Sequence, residues 1–404
     1  QYSTGSYAGK IPNSSTPIKY IGRVDNYFIG FIDEVRIYNS ALSASEIQSL
    51  YNEAIPTTPT PTPTPTKPTT PTPTPTTTAV PTPSPTTSPE EENLLEKYAP
   101  ILYMHEKERF YPTKVEVMLK NSELYNSDSN IPVYLKDGLT LENLINYCNE
   151  DTYYLKLKKE SKKKLKDKKH WKKSITVYGR EFPNYGKTVL QYWFFYVYND
   201  WGGLKEGGNK HEGDWEMIQI ILGDDNQPEK ITYGFHHGGK TFEWNNEEVI
   251  KDESDNHPLV YVTLGGHGSW NKPGKHTFYQ KLGKCLECED KTTKDNETGN
   301  ALYPKTMAKS KLKASHKYQY MLENISDSKD ETAKYYWIYW KGYWGNQEKV
   351  IKEGFTGPPS PPYIDYIDDD NLPGRWESPL YWANVPNPTS YQVCTSENGK
   401  VVIY

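Results

Sequence analysis

The sequence predicts a mainly β protein: an antiparallel β-sandwich with long loops and a few short helices. Two observations lead there. The chain holds 34 Tyr, 11 Trp and 10 Phe, an aromatic share of 14% within a hydrophobic content of only 35%, which is the profile of aromatics packed on pleated surfaces. From residue 94 onward, strand-like runs at 98 to 104, 187 to 198, 214 to 222, 229 to 237, 257 to 264 and 335 to 344 are separated by clusters of Gly, Pro, Asn and Asp. Local helices are expected at 139 to 148 and 306 to 323, and no fixed-period repeat is visible.

The 404 residues suffice for two or three domains, and 47 Lys plus Arg against 52 Asp plus Glu leave a net charge of -5. Such a balance names no partner. Five Met and few Ala argue against a helical bundle, and no run of 18 apolar residues predicts a transmembrane segment. The opening QYSTGSYAGK lacks the basic and apolar regions of a signal peptide, so the chain reads as a fragment of a longer precursor. Cys148, Cys285, Cys288 and Cys394 allow disulfides, thiols or a partial metal site; Cys285-Leu-Glu-Cys288 lacks the second close pair of a structural zinc site.

Taken in order, residues 1 to 55 form a first unit, 56 to 93 a linker, and 94 to 404 the main domain. In the first unit, Phe31 to Tyr38 alternates as a strand, and Ser43 with Glu46 makes a capping box opening a helix through Ile47, Leu50 and Tyr51. Residues 20 to 53 thus resemble the C-terminal end of a laminin-G-like, concanavalin-type jelly-roll domain, truncated to its last strands. The Pro/Thr alternation after residue 55 favours extended polyproline II and would reach roughly 100 Å at about 3.1 Å per residue. It is compositionally similar to linkers of secreted bacterial polysaccharide-active enzymes; a plain disordered tether is the alternative.

Within the main domain, Lys156 to Lys173 contains eleven Lys against one Glu and one Asp. It reads either as a solvated hairpin or helical extension, or as an attraction to anionic surfaces. Specific nucleic-acid recognition is not expected, because only Trp171 offers a base-stacking ring there. In YYWIYWKGYWGN, residues 335 to 346, Trp340, Tyr343 and Trp344 are the candidate ligand-binding platforms for a sugar, with core packing as the alternative.

The most informative stretch is NKHEGDWEMIQIIL, residues 209 to 222. Strand alternation puts Asp214, Glu216, Ile218, Ile220 and Leu222 on one side and Trp215, Met217, Gln219 and Ile221 on the other. One face therefore changes from carboxylate to aliphatic, as at the open end of a sandwich. Two carboxylates about 7 Å apart can share a cation, and Gly213 permits a bend that turns His211 toward them. Oxygen ligands with a single imidazole favour Ca, Mg or Mn over Zn. Asp200, His236, His237 and His267 each follow a strand-like run, so the same mouth can gather them. A solvent-exposed acidic turn is the bland alternative.

Residues 97 to 117, YWFFYVYND, HEGDWEMIQIIL, HPLVYVTLGGHGSW and the late WGN with GPPSPP resemble the vacuolar protein sorting-associated protein 62 family, in order across residues 97 to 382. HEGDWE is also similar to the signature of the necrosis-inducing, NLP-type cytolysins. That resemblance implies a β-sandwich with a divalent cation held by Asp200, His211, Asp214 and Glu216. Gly213 stands where those cytolysins have a second His.

The leading expectation is an extracellular or cell-surface modular protein whose sandwich binds a divalent cation and a polysaccharide or cell-surface glycan, with an anionic surface as a further partner through Lys156 to Lys173. A metal-dependent hydrolase is the rival, with His267 or His236 as catalytic acid or base. A structural surface module is the third reading.

Overall fold

The computed structural model describes residues 23, 24, 26 and 27, and residues 92 to 403 apart from 168–171, 185, 203–209, 237, 283, 297, 313–315, 327–332, 347–356, 368–373, 385–393, 398 and 399. The chain divides into two compact units, Gln1–Pro85 and Thr86–Tyr404. Of the first, only the strand pair Arg23–Val24 and Asn26–Tyr27 is described. The strand expected over Phe31 to Tyr38, the helix expected through Tyr51, the linker up to residue 91, and His237 lie outside the described residues.

The second unit is mainly β, built on a ten-stranded sheet. In chain order its strands are β1 (Ile101–Met104), β2 (Thr176–Asn184), β3 (Lys187–Asp200), β4 (Lys210–Leu222) and β5 (Pro228–Phe235). The remainder are β6 (Gly238–Glu243), β7 (Leu259–Val262), β8 (Ser269–Trp270), β9 (Asn300–Pro304) and β10 (His316–Asn324). Across the sheet the order is β6, β5, β4, β3, β2, β10, β9, β1, β7, β8. The sheet is curled: Phe235 of β5 stacks on Trp270 of β8 with ring centroids 4.3 Å apart, although the strands stand near opposite ends of that order.

Because β3 and β4 are central, they are buried on both faces, which explains their near-continuous apolar runs. Alternate residues serve two cores. Leu190, Tyr192 and Phe194 of β3 and Ile218, Ile220 and Leu222 of β4 fill the inside of the curl, with Val260 and Leu302. Trp193, Phe195, Trp215 and Met217 face outward against Met118, Leu124, Leu155, Trp337 and Trp344, carried on the helix Val115–Asn121, a small three-stranded sheet and a later aromatic segment. Each fully buried side chain of this size contributes roughly 1.5–3 kcal/mol relative to exposure. The two strands thus form a rigid base for polar groups at one end.

Three expectations need correcting. Pairing is mixed rather than purely antiparallel, since β1 with β7, β9 with β10, and β10 with β2 run parallel. Residues 306 to 323 hold β10 and a short turn at Lys309–Lys311 rather than a helix; pairing on both sides of β10 overrides its local helix propensity. The aromatic run expected as a strand over 335 to 344 is a 3-10 helix, Ala333–Tyr339, followed by irregular chain. Its first part, Tyr335 to Trp340, has no polar residue to reveal a period. The helix expected near 139 to 148 is present as Leu141–Leu144 continued by a 3-10 turn, with Thr140 closing a capping box. Among the described residues no helix is long and apolar enough to cross a membrane.

Candidate functional site

The site lies where the polar ends of β3 and β4 meet the loop between β7 and β8. Strands β3 and β4 pair in register from Thr188 with Leu222 to Asp200 with Lys210, but the pairing skips Val197 and Gly213. Gly213 is left-handed, with φ of +67°, and a Cβ there would stand 2.7 Å from the Trp344 Cβ. Only glycine satisfies both demands. Beyond this kink the strand carries His211; before it, Asp214 and Glu216 share the face of Ile218.

Asp214 is held from two sides. Its Oδ2 accepts from Asn199 Nδ2 at 3.1 Å and lies 2.8 Å from His267 Nδ1. The His267 ring lies flat on Tyr196, with centroids 3.8 Å apart and planes 4° from parallel, and its Nε2 is 3.7 Å from Glu108 Oε1. Burial pulls the His267 pKa down, but the two carboxylates outweigh it and raise it to about 9. At neutral pH His267 is an imidazolium between two carboxylates. Burial pushes the Glu108 pKa up, yet His267 and the backbone N–H groups of Phe110 and Gly265 bring it below its ordinary value. Glu108 also accepts from the backbone N–H of Arg109.

Glu216 is bound differently. Its Oε1 accepts from the backbone N–H of His236 at 3.1 Å, while Oε2 is buried with no hydrogen-bond partner. Burial and then the charge of Asp214 push its pKa well above the carboxylate range. Asp290 completes the polar layer. The indole N–H groups of Trp201 and Trp270 donate to its two oxygens, each at 2.9 Å, and His236 Nε2 lies 3.3 Å from Oδ2. Burial raises the Asp290 pKa, but His236 and the Trp270 donor leave it lowered overall.

His211 is buried, and its Nδ1–H donates to the Gly213 carbonyl at 2.7 Å. That bond fixes the tautomer and leaves the lone pair on Nε2. Burial lowers the pKa of His211, so it is neutral at pH 7. Both His236 and His267 have left-handed backbones, with φ of 51° and 58°. For non-glycine residues this costs of order 1–3 kcal/mol each and tends to occur at functional sites.

A family model described as vacuolar protein sorting-associated protein 62 matches residues 81–344. The chain belongs to that family. The vacuolar protein sorting-associated protein 62 match contains every residue of the polar layer just described, and ends before Arg375, whose guanidinium donates to the His236 carbonyl at 3.4 Å. No curated protein matches the chain. Among solved structures the chain is similar to "Necrosis and Ethylene inducing Protein 2 from the causal agent of cocoa's Witches Broom disease", at 16% identity and a TM-score of 0.22, covering 43% of this chain and 77% of that one. It is also similar to "NLPPya in complex with glucosamine", at 14% identity and a TM-score of 0.19, covering 24% and 44%. The chain thus spans under half of the latter's length. Likeness at these scores carries no argument about the site.

Of the residues expected at the site, His211, Asp214, Glu216, His236 and His267 of this family member come together. Asp200 stands at the edge, its carboxylate 2.7 Å from Lys210 Nζ. The kink at Gly213 gives Asp214 to Asn199 instead. Trp340 and Trp344 need correcting as sugar platforms: both are fully buried in the outer core, with Trp344 Nε1 donating to Ser360. Tyr343 is half-buried and exchanges backbone hydrogen bonds with Tyr153 and Leu155. Sequence reasoning missed Glu108, Asn199 and Asp290. Asn199 adjoins Asp200, but nothing marks Glu108 in MHEKERF or Asp290 in ECED as buried. Among the described residues, no group of three or more His, Cys, Asp or Glu side chains is already disposed to hold a metal ion.

Proposed function

We propose that residues 94 to 404 form a divalent-cation-binding domain that takes a glycan or anionic cell-surface ligand through the cation, in an extracellular or cell-surface protein. The observation that carries this reading is Glu216 Oε2, a buried carboxylate oxygen without a partner beside a second carboxylate. Leaving such an atom unpaired is costly, and a cation removes the cost. Asp214, Glu216 and His211 Nε2 would hold the ion once their side chains turn toward one another, since they are not drawn together as a ligand set without it, with water completing its shell. Their oxygen-rich chemistry suits Ca, Mg or Mn better than Zn. Asp200 does not fit, because Lys210 occupies its carboxylate. His267, Asn199 and Glu108 orient Asp214 from behind, as outer partners of ligating carboxylates do. When bound, the cation would supply a positive centre for a hydroxyl, carboxylate or phosphate oxygen.

Calorimetric titration of chelator-treated protein with Ca, Mg and Mn tests the reading. Binding by the parent that disappears in Asp214→Ala supports it; silence of the parent toward all three ions rejects it.

One observation favours the rival class, a metal-dependent hydrolase of phosphodiesters, esters or glycosides. His236 is aimed by Asp290, an arrangement that orients an imidazole for proton transfer. His267 is less suited, since it is fully buried between two carboxylates. Turnover of such substrates by the parent, lost in His236→Ala and also in a folded His236→Gln, would move the assignment to this class.

A further inference from the structure

Three lysines converge on one cleft that shares no lining residue with the acidic layer. The cleft has a volume of about 450 Å³ and is lined by Lys172, Lys309, Leu312, Lys317, Tyr318 and Gln319. Among the described residues no acidic side chain lines it and none of the three lysines is in an ion pair. Two of the ammonium groups are held in place. Lys172 Nζ sits over the Tyr318 ring, 5.3 Å from its centroid, and Lys317 Nζ donates to the Leu312 carbonyl at 2.9 Å. Lys309 is exposed at the start of a 3-10 turn.

We propose that this cleft is a second binding site, for an acidic polysaccharide bearing carboxylate or sulfate groups. Three unneutralised point charges around a concavity attract an anion, and lysines without an arginine fork suit repeated charge rather than one bidentate group. The concave shape fits a chain segment better than a flat lipid surface. Single-stranded nucleic acid is disfavoured because Lys172 covers the ring that a base would stack on. The site needs no cation, so it stands or falls separately from the acidic layer.

The test uses the full chain with dextran sulfate and polygalacturonate in EDTA, beside neutral dextran, anionic phosphatidylserine vesicles and oligo-dT. The expected result is binding of the acidic polysaccharides that weakens with added NaCl and falls by about tenfold in Lys172→Gln/Lys309→Gln/Lys317→Gln. The control Lys163→Gln/Lys164→Gln/Lys166→Gln, with the same charge change in the same basic tract, should keep parental affinity. The exposed single variant Lys309→Gln should show a smaller loss and preserves the test if the triple variant does not fold. Absence of parental binding, equal loss in the control, no loss in either cleft variant, or binding confined to vesicles or oligo-dT would each overturn the proposal.

Discussion

His267 Nδ1 lies 2.8 Å from Asp214 Oδ2, and the imidazole is wholly shielded from solvent. A buried ion pair adds little net stability, but removing one partner strands the other charge. His267→Ala would strand both Asp214 and Glu108. The expected loss is about 3–5 kcal/mol in urea unfolding; a change below 1 kcal/mol would show that the carboxylates do not depend on this imidazolium.

The same pair predicts a pH dependence. The folded pKa of His267, about 9, exceeds its ordinary value of 6.5. Its stabilising contribution is therefore complete below pH 6.5 and is lost as pH rises through 9, amounting to about 3 kcal/mol over that span. Unfolding free energies measured from pH 6 to pH 10 in chelator should fall, and the fall should be absent in His267→Asn. A flat parental profile would contradict the pairing.

Gly213 sets the kink that brings His211 and Asp214 together. Gly213→Ala forces a Cβ into the Trp344 backbone and side chain at a left-handed position, with an expected cost above about 1 kcal/mol. A thermal midpoint unchanged from the parent would mean that the kink does not require glycine.

Trp344 distinguishes core from binding platform. Its ring packs 5.0 Å from Phe195 and 5.2 Å from Trp340, centroid to centroid, with no exposed face. Trp344→Ala should cost about 3–5 kcal/mol. A stable Trp344→Ala protein that loses only glycan affinity would restore Trp344 as a platform.

The two central strands and the change from carboxylate to aliphatic along β4 were legible because alternation on a strand reports burial directly. Asp214 and Glu216 could be placed on one face for that reason. Asn199 was missed because Gly213 interrupts the alternation at the point where it mattered. Glu108 and Asp290 were missed because they reach the site through tertiary folding from segments whose charge pattern looks like solvated surface. The aromatic run at 335 to 344 had the opposite problem: with every position from Tyr335 to Trp340 apolar, periodicity could not separate strand from 3-10 helix.

The central claim is that a cation satisfies Glu216. Because Glu216 is pushed toward its neutral form, Glu216→Gln should change stability by less than about 1 kcal/mol in chelator. The most direct measurement is the unfolding free energy of parent and Glu216→Gln with and without Ca, Mg or Mn. A bound ion at 100-fold above its Kd should stabilise the parent by about 2.7 kcal/mol and leave Glu216→Gln unchanged. No stabilisation of the parent by any of the three ions, or equal stabilisation of both proteins, would contradict it.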